Sequence, residues 1–527
     1  MGLRAQSAVL KIANMADTFT ASRSQVILGV CVPLAVLVGY FLAEPMATGS
    51  MAIIAMVFTA LCLPLLIRFY HPMMIVTWNA AIMPYFLPGQ PYLWMLVAAL
   101  GIVVAVVNRC IDPDKRFLPA GQVSWALLAL TAVLVVTAML TGGIGTRTFG
   151  SDTYGGKKYF YIWLGAAGFF ALISRRVPLS SAGWLVSLFF LSGVTALISN
   201  LTYVAGQKLY FLFLLFPPEY AAVQASGAMS PFSGLERIAG GTTAGMAVLC
   251  FLLARYGFRG IFDPWRPWRL LLLLAAFTAG LLSGYRSFVI LFVLILAAAF
   301  FLEGLHRTRW LPILVGAAVL SGVLLLPNVD KLPMSAQRAL SFLPVQIHPI
   351  ARLDAESSTE WRLEMWRDLL PEMKNHLLLG RGYALKPGEL YLSEENTARH
   401  YRSSSETAII AANFHNGPMS VLIPLGIWGG LVVIWFFWAG GQVLYRNFRY
   451  GNPALKIINT ALFACYLGRV VFFLTVFGAL DMELFIFAGL VGLSVSLNGG
   501  VATAPQPTKP EEAEVALPDY SYAEGER

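Results

Sequence analysis

Phe414-His415-Asn416 stands where a long polar segment gives way to an apolar run; nine residues separate Asn416 from Gly426, and two more separate Gly426 from Gly429. A histidine at a water–lipid boundary can exchange a proton near neutral pH, although an interfacial or helix-capping histidine would occupy the same place. Arg286 opens another apolar run, within Ser283-Gly284-Tyr285-Arg286-Ser287. Its side chain can either serve chemistry or snorkel to lipid headgroups. Arg362 lies in the polar segment, where Glu360, Glu364 and Asp368 offer it surface partners. Arg469 falls well inside the run 456–479. A charge there costs roughly 2.5–3.5 kcal/mol on insertion scales, so it should face a cavity or a partner, and a phosphate is one candidate. Lys157 and Lys158 begin the run before 174 and could meet either a lipid phosphate or a headgroup.

These residues must be held by membrane helices. The chain has 527 residues, 57% of them hydrophobic and only 12% charged, against about 25% charged in soluble proteins. Apolar runs about 20 residues long cross a bilayer. We read about fourteen such candidates, at 26–44, 51–69, 72–88, 91–108, 121–141, 158–174, 181–203, 241–256, 268–284, 286–303, 309–327, 416–439, 456–479 and 482–498. They lack the alternation of barrel strands, so the expected fold class is all-α: a polytopic transmembrane bundle of about 12–14 spans with one large, partly helical periplasmic loop.

The net charge of +9 does not point to nucleic acid, because it sorts by loop. Arg4, Lys11 and Arg23 precede the first run. Further clusters follow every second run: Arg109, Lys115 and Arg116; Arg175 and Arg176; Arg255, Arg259, Arg266 and Arg269; Arg307 and Arg309; Arg446, Arg449 and Lys456. The positive-inside rule makes that side cytoplasmic and puts both termini there. The expected organisation is a cytoplasmic N-terminus at 1–25, a bundle over 26–327, a periplasmic loop over 328–415, a second bundle part over 416–498, and a disordered cytoplasmic tail over 499–527. In the loop, Ser357-Ser358-Thr359-Glu360 has capping-box spacing. Trp361, Met365 and Leu369 then recur as on an amphipathic helix, which Pro371 should bend or end.

Some patterns carry little. Asp112-Pro-Asp114 resembles a nucleotide-sugar motif, but sits in a short cytoplasmic loop. The Gly142-Gly143-x-Gly145 run lacks a suitable helix start. His71, His306, His348, His376 and His400 are scattered without metal-site spacing. None of the five cysteines falls in an external loop, so no disulfide framework is expected.

His-Asn, nine residues, Gly, two residues, Gly resembles the signature of the bacterial O-antigen ligase and O-antigen polymerase superfamily. Ser283 to Ser287 is similar to its Ser-Arg element. Arg362 with Trp366, then Gly380 and Gly382, resembles its Arg-x3-Trp and Gly-x-Gly stretch. Arg237 with Gly240 resembles its Arg-x2-Gly piece, although Gly241-Thr242-Thr243 stands where Asn-Pro-Asn often follows. The resemblance covers about residues 230–430.

The resemblance implies a glycosyltransferase in the bacterial inner membrane. Its donor is a glycan on polyprenyl pyrophosphate, and its acceptor is a hydroxyl of a glycan, of lipid A-core or of a protein, on the periplasmic face. Arginine grips phosphate bidentately, and histidine can take a hydroxyl proton. On this reading His415 and Arg286 are catalytic. Asn416, Arg237, Arg362 and Arg469 bind substrate, and no metal or cofactor is required. The competing reading is a flippase or transporter of lipid-linked glycan, which would place its binding groups near the midplane; Arg469 is the residue that favours it.

Overall fold

A computed structural model describes residues 67–85, 87, 89–145, 153–216, 237–388 and 412–504, with scattered positions between 28 and 64. Residues up to Tyr70 form one compact unit, whose described positions are all helical; residues from His71 on form a second. The expected spans 26–44 and 51–69, His400 and most of the tail lie largely or wholly outside the described residues.

The second unit is an all-α bundle. Its helices are α1 (Leu93–Ile111), α2 (Gln122–Leu140), α3 (Lys157–Leu172), α4 (Leu179–Ala205, with a 3-10 turn at Ser192–Leu197), α5 (Gly241–Ile261), α6 (Trp268–Leu281) and α7 (Arg286–Leu302). They continue with α8 (Trp310–Leu325), α9 (Met334–Ala339), α10 (Pro349–Asn375), α11 (Gly417–Tyr450), α12 (Lys456–Thr475) and α13 (Leu480–Asn498). Among the described residues, eight helical stretches are long and apolar enough to cross a membrane, and α6 and α7 are shorter apolar helices. The chain is a multi-pass membrane protein. The only described strand-like pairing is one antiparallel bridge between Tyr154 and Leu385.

The expected run at 72–88 is not one span. Helix gives way to a turn at Trp78, and the following chain, residues 80–84, has no regular secondary structure. Its amides are satisfied by a neighbour instead: Met83 and Tyr85 donate to the carbonyls of Leu215 and Leu214 (2.7 and 3.0 Å). Backbone irregular at this depth needs such protein partners.

Lipid supplies no hydrophobic drive between helices, so packing and polar contacts must hold them together. α13 packs along α3, α11 along α2, and α12 along α7 and α5. Far from His415, amides tie three helices: Asn447 Nδ2 donates to Ser494 Oγ (3.0 Å), Asn459 Nδ2 to the Asn447 carbonyl (3.0 Å), and Asn498 Nδ2 to Asn459 Oδ1 (2.9 Å). Such contacts contribute about 0.6 kcal/mol each.

The polar loop differs from its expectation in two places. Its long helix begins not at Ser357 but at Pro349, where proline suits the first turn and His348 Nδ1 accepts from the Ile350 amide (3.3 Å). Ser357 to Glu360 are therefore interior. Pro371 lies inside the helix, which continues to Asn375. Proline removes a single amide donor there, and the helix absorbs it near its end.

α11 is broken at Gly426, which has φ 66° and ψ −165°, just after Pro424. Residues 377–382 fill the break. Ile427 donates to the Leu377 carbonyl (2.6 Å), while Arg381 and Gly382 donate to the carbonyls of Ile423 and Pro424 (2.8 and 2.9 Å). The glycines at 380, 382 and 426 thus serve a loop docked into a broken helix. All three have positive φ.

Candidate functional site

The site forms at the end of the bundle where α5, α7, α11 and α13 begin. The α6–α7 corner turns through Gly284 (φ 74°) and places Arg286 in the first turn of α7. Ser283 Oγ donates to the Ile238 carbonyl (3.0 Å) and the Ile238 amide to the Leu282 carbonyl (3.1 Å). These bonds bring Arg237 beside the corner, with its guanidinium 5.7 Å from the Tyr285 ring centroid.

α9 and α10 close over this corner. Arg338 on α9 donates Nη1 to the Gly284 carbonyl (2.5 Å) and Nε to Asp354 Oδ2. Arg237 Nη2 reaches the same carboxylate oxygen at 3.2 Å. Arg286 Nη2 donates to the Ala355 carbonyl (3.0 Å) and to Thr359 Oγ1 (2.8 Å). Asp354, Thr359, Arg362 and Trp366 recur at three- to five-residue steps, so one edge of α10 faces the corner. Adjoining this edge, Met365 and Leu369 are fully buried against Phe414 and Ile423.

Arg362 is the least paired of the four arginines. Its Nε is buried without a hydrogen-bond partner among the described residues. The surface pairing offered by Glu360, Glu364 or Asp368 does not form. Burial, with the charges of Arg286 and Arg338, pushes its guanidinium below the usual arginine range. Arg338 is pushed down for the same reasons, burial first and then the charge of Arg237, opposed by Asp354. Among the described residues, four guanidinium groups therefore converge beside one paired carboxylate. Such a cluster is short of negative charge and suited to an anion.

His415 adjoins it. Its ring lies 5.5 Å from Trp361 and 5.4 Å from Phe477, centroid to centroid. Nδ1 is buried and unpartnered among the described residues. Burial, and then the Arg362 charge, pushes its pKa down to about 4, so the imidazole is neutral near pH 7. Its backbone is held in the left-handed region at φ 49°, which is uncommon outside glycine. Two bonds hold it there: Trp366 Nε1 donates to the Phe414 carbonyl (2.8 Å), and Asn416 Oδ1 accepts from the Met419 amide (3.0 Å). The Asn416 oxygen is thus spent on capping α11.

Arg469 stands apart. It lies six residues from the end of α12 at Thr475, about 9 Å at 1.5 Å per residue, and pairs with Glu483 in the first turn of α13 (3.1 Å). It lines a cavity of about 280 Å³ that Ser287 and Phe477 also line. Lys158 is neither free nor turned to lipid: Nζ pairs with Asp481 (3.2 Å) and donates to the Ala412 carbonyl (2.8 Å), three residues before His415.

The structure thus brings Arg237, Arg286 and Arg362 together next to His415, and leaves Arg469 in a neighbouring ion pair. Sequence reading missed Arg338 and Asp354. Their only local signal is that each is a charge bracketed by alanines, at Ala336–Ala339 and Ala351–Ala355.

No curated protein matches the chain. Residues 270–434 match a family described as O-antigen ligase; the segment contains Arg286, Arg338, Asp354, Arg362 and His415. That segment is similar to the O-antigen ligase family, as the spacing from His415 to Gly429 implied.

Proposed function

We propose that the chain transfers a glycan from polyprenyl pyrophosphate to an acceptor hydroxyl at the periplasmic face of the bacterial inner membrane. The observation that carries this is a cluster of four guanidinium groups, two of them paired with Asp354, beside a neutral histidine. In the reaction the acceptor oxygen bonds to the anomeric carbon, and the bond from that carbon to the pyrophosphate oxygen breaks. Polyprenyl pyrophosphate leaves with an added negative charge, and the hydroxyl proton passes to His415. Arg286 and Arg362 stabilise the charge that develops on the leaving group, where preformed donors act most strongly. Arg237 and Arg338 hold the pyrophosphate together with the corner.

The low pKa of His415 fits this order of events. With the site empty, Arg362 opposes its protonation. A bound pyrophosphate offsets that charge and makes the imidazole a better base. A cavity of about 800 Å³ starts at Arg237 and runs between α4 and α6, past Leu201, Val204, Ala275 and Leu282. That mostly apolar passage suits the first isoprene units of the lipid.

The test is glycan transfer by the full chain in membranes with a lipid-linked donor. His415→Ala and Arg286→Ala should each lower kcat at least about a hundredfold, the lower range for a general base or an oxyanion donor. Transfer near the wild-type rate in both variants rejects the proposal.

A further inference from the structure

The guanidinium cluster accounts for the anion, but not for a second cavity at the same end of the bundle. The lobe of about 280 Å³ reaches Ser287, next to Arg286, and Phe477, against the His415 ring. A second lobe of about 310 Å³ lies between α1, α3 and α13. Asn79 and Thr243 line both lobes, so the two are adjacent.

The far lobe is walled by Tyr92, Trp94 and Tyr161. Trp94 stacks on Phe485 at 4.6 Å and 10°, and Tyr92 and Tyr161 lie 6.2 Å apart. Trp78 braces the wall from behind, donating Nε1 to the Phe485 carbonyl (3.0 Å). Tyr92 and Tyr161 stay half-buried, which leaves this lobe open. The charges along the cavity cancel: Arg469 pairs with Glu483, and Lys158 with Asp481. Thr242 Oγ1 is buried in the near lobe with no hydrogen-bond partner among the described residues.

A fixed aromatic wall, a few convergent polar groups and no net charge form a site for a neutral amphipathic ring. A pyranose has that character. Its C–H face packs on an aromatic ring, while its hydroxyls both donate and accept. The anionic donor is drawn instead to the guanidinium cluster, where positive charge is in excess.

We propose that this pair of lobes is a subsite for an uncharged pyranose of the acceptor glycan, packed on Tyr92 and Tyr161 and directed past the near lobe toward His415. The proposal rests on the transferase reading and adds to it the acceptor's chemical class and route.

The experiment is saturation-transfer NMR on the full chain in lipid nanodiscs, titrated with methyl glucopyranoside, methyl galactopyranoside and methyl N-acetylglucosaminide. At least one should bind the wild type. Tyr92→Ala should weaken that binding about tenfold, equivalent to about 1.4 kcal/mol. Thr243→Val, an isosteric change at an exposed position of α5, should weaken it measurably without threatening the fold. Arg286→Ala should leave it unchanged. If none of the three pyranosides binds the wild type, or if binding survives both Tyr92→Ala and Thr243→Val, the subsite is overturned. Failure of the transferase reading would show separately, as glycan transfer that persists in His415→Ala and Arg286→Ala.

Discussion

Asp354→Asn separates a structural carboxylate from a stand-in for substrate. Asp354 Oδ2 takes both Arg237 and Arg338, and the Asp354 and Arg338 side chains are only 14% and 8% exposed. Asparagine keeps the shape and removes the charge, leaving the four guanidinium groups with no ion-pair partner among the described residues. Removing one partner of a buried pair costs about 3–5 kcal/mol. We expect the lower end, about 3 kcal/mol, because Arg237 keeps some contact with water. The variant should therefore unfold several degrees below the wild type in nanodiscs, followed by intrinsic fluorescence. Inorganic pyrophosphate should then restore it. An anion present at a hundred times its Kd stabilises by about 2.7 kcal/mol, close to what was lost. The wild type should gain less, because there pyrophosphate must compete with Asp354 for the same arginines. A variant that unfolds with the wild type, or an equal pyrophosphate shift in both, would refute the idea that Asp354 occupies the anion's place.

Three further outcomes follow from the same geometry. With a folded pKa of about 4 against 6.5 for ordinary histidine, neutral His415 favours the fold above pH 6.5, and that contribution is lost as pH falls through about 4; the pH profile of kcat/KM should stay flat from neutrality to about pH 5. In Arg362→Gln its acid limb should move upward, toward 6.5, and an unmoved limb would show that Arg362 does not act on His415. Asn416→Ala removes the acceptor for the Met419 amide and should cost about 1 kcal/mol and lower kcat, whereas Asn416→Asp should keep both, as thermal midpoints and transfer rates will show. Gly426→Ala forces a side chain into φ 66°, with its Cβ 2.8 Å from the Gly380 amide nitrogen; a backbone cost of about 1–2 kcal/mol and undocking of residues 377–382 should appear as faster proteolysis of that loop.

Much of this was legible in the sequence, because membrane insertion and periodicity are local signals. The runs at 91–108, 121–141, 241–256 and 482–498 correspond to α1, α2, α5 and α13. The stripe Met365–Leu369 was visible as a four-residue repeat, and it is buried against Phe414 and Ile423. Misreadings arose where distant backbone competes with local preference. Ser357 looked like a cap, but Pro349 and His348 offer an earlier start; Thr359 is instead held by Arg286, 73 positions away. Arg469 looked solitary because its partner Glu483 lies on the next helix. Arg338 and Asp354 could not be paired from sequence, since each gains meaning only when α9 and α10 fold back over Gly284.

The break in α11 gives the spacing between Asn416 and Gly426 a mechanical meaning. The ten steps from Asn416 to Gly426 are a ruler of about 15 Å at 1.5 Å per residue. Its upper mark is the capped end that carries His415, and its lower mark is the notch that receives residues 377–382. α10 leads into that same segment, so the ruler sets how far the arm bearing Asp354, Trp361 and Arg362 can reach from its anchor. Side chains along the ruler can drift while its length is kept. One residue inserted or removed would rotate the notch by about 100° and carry the arginines away from the histidine without altering any of them.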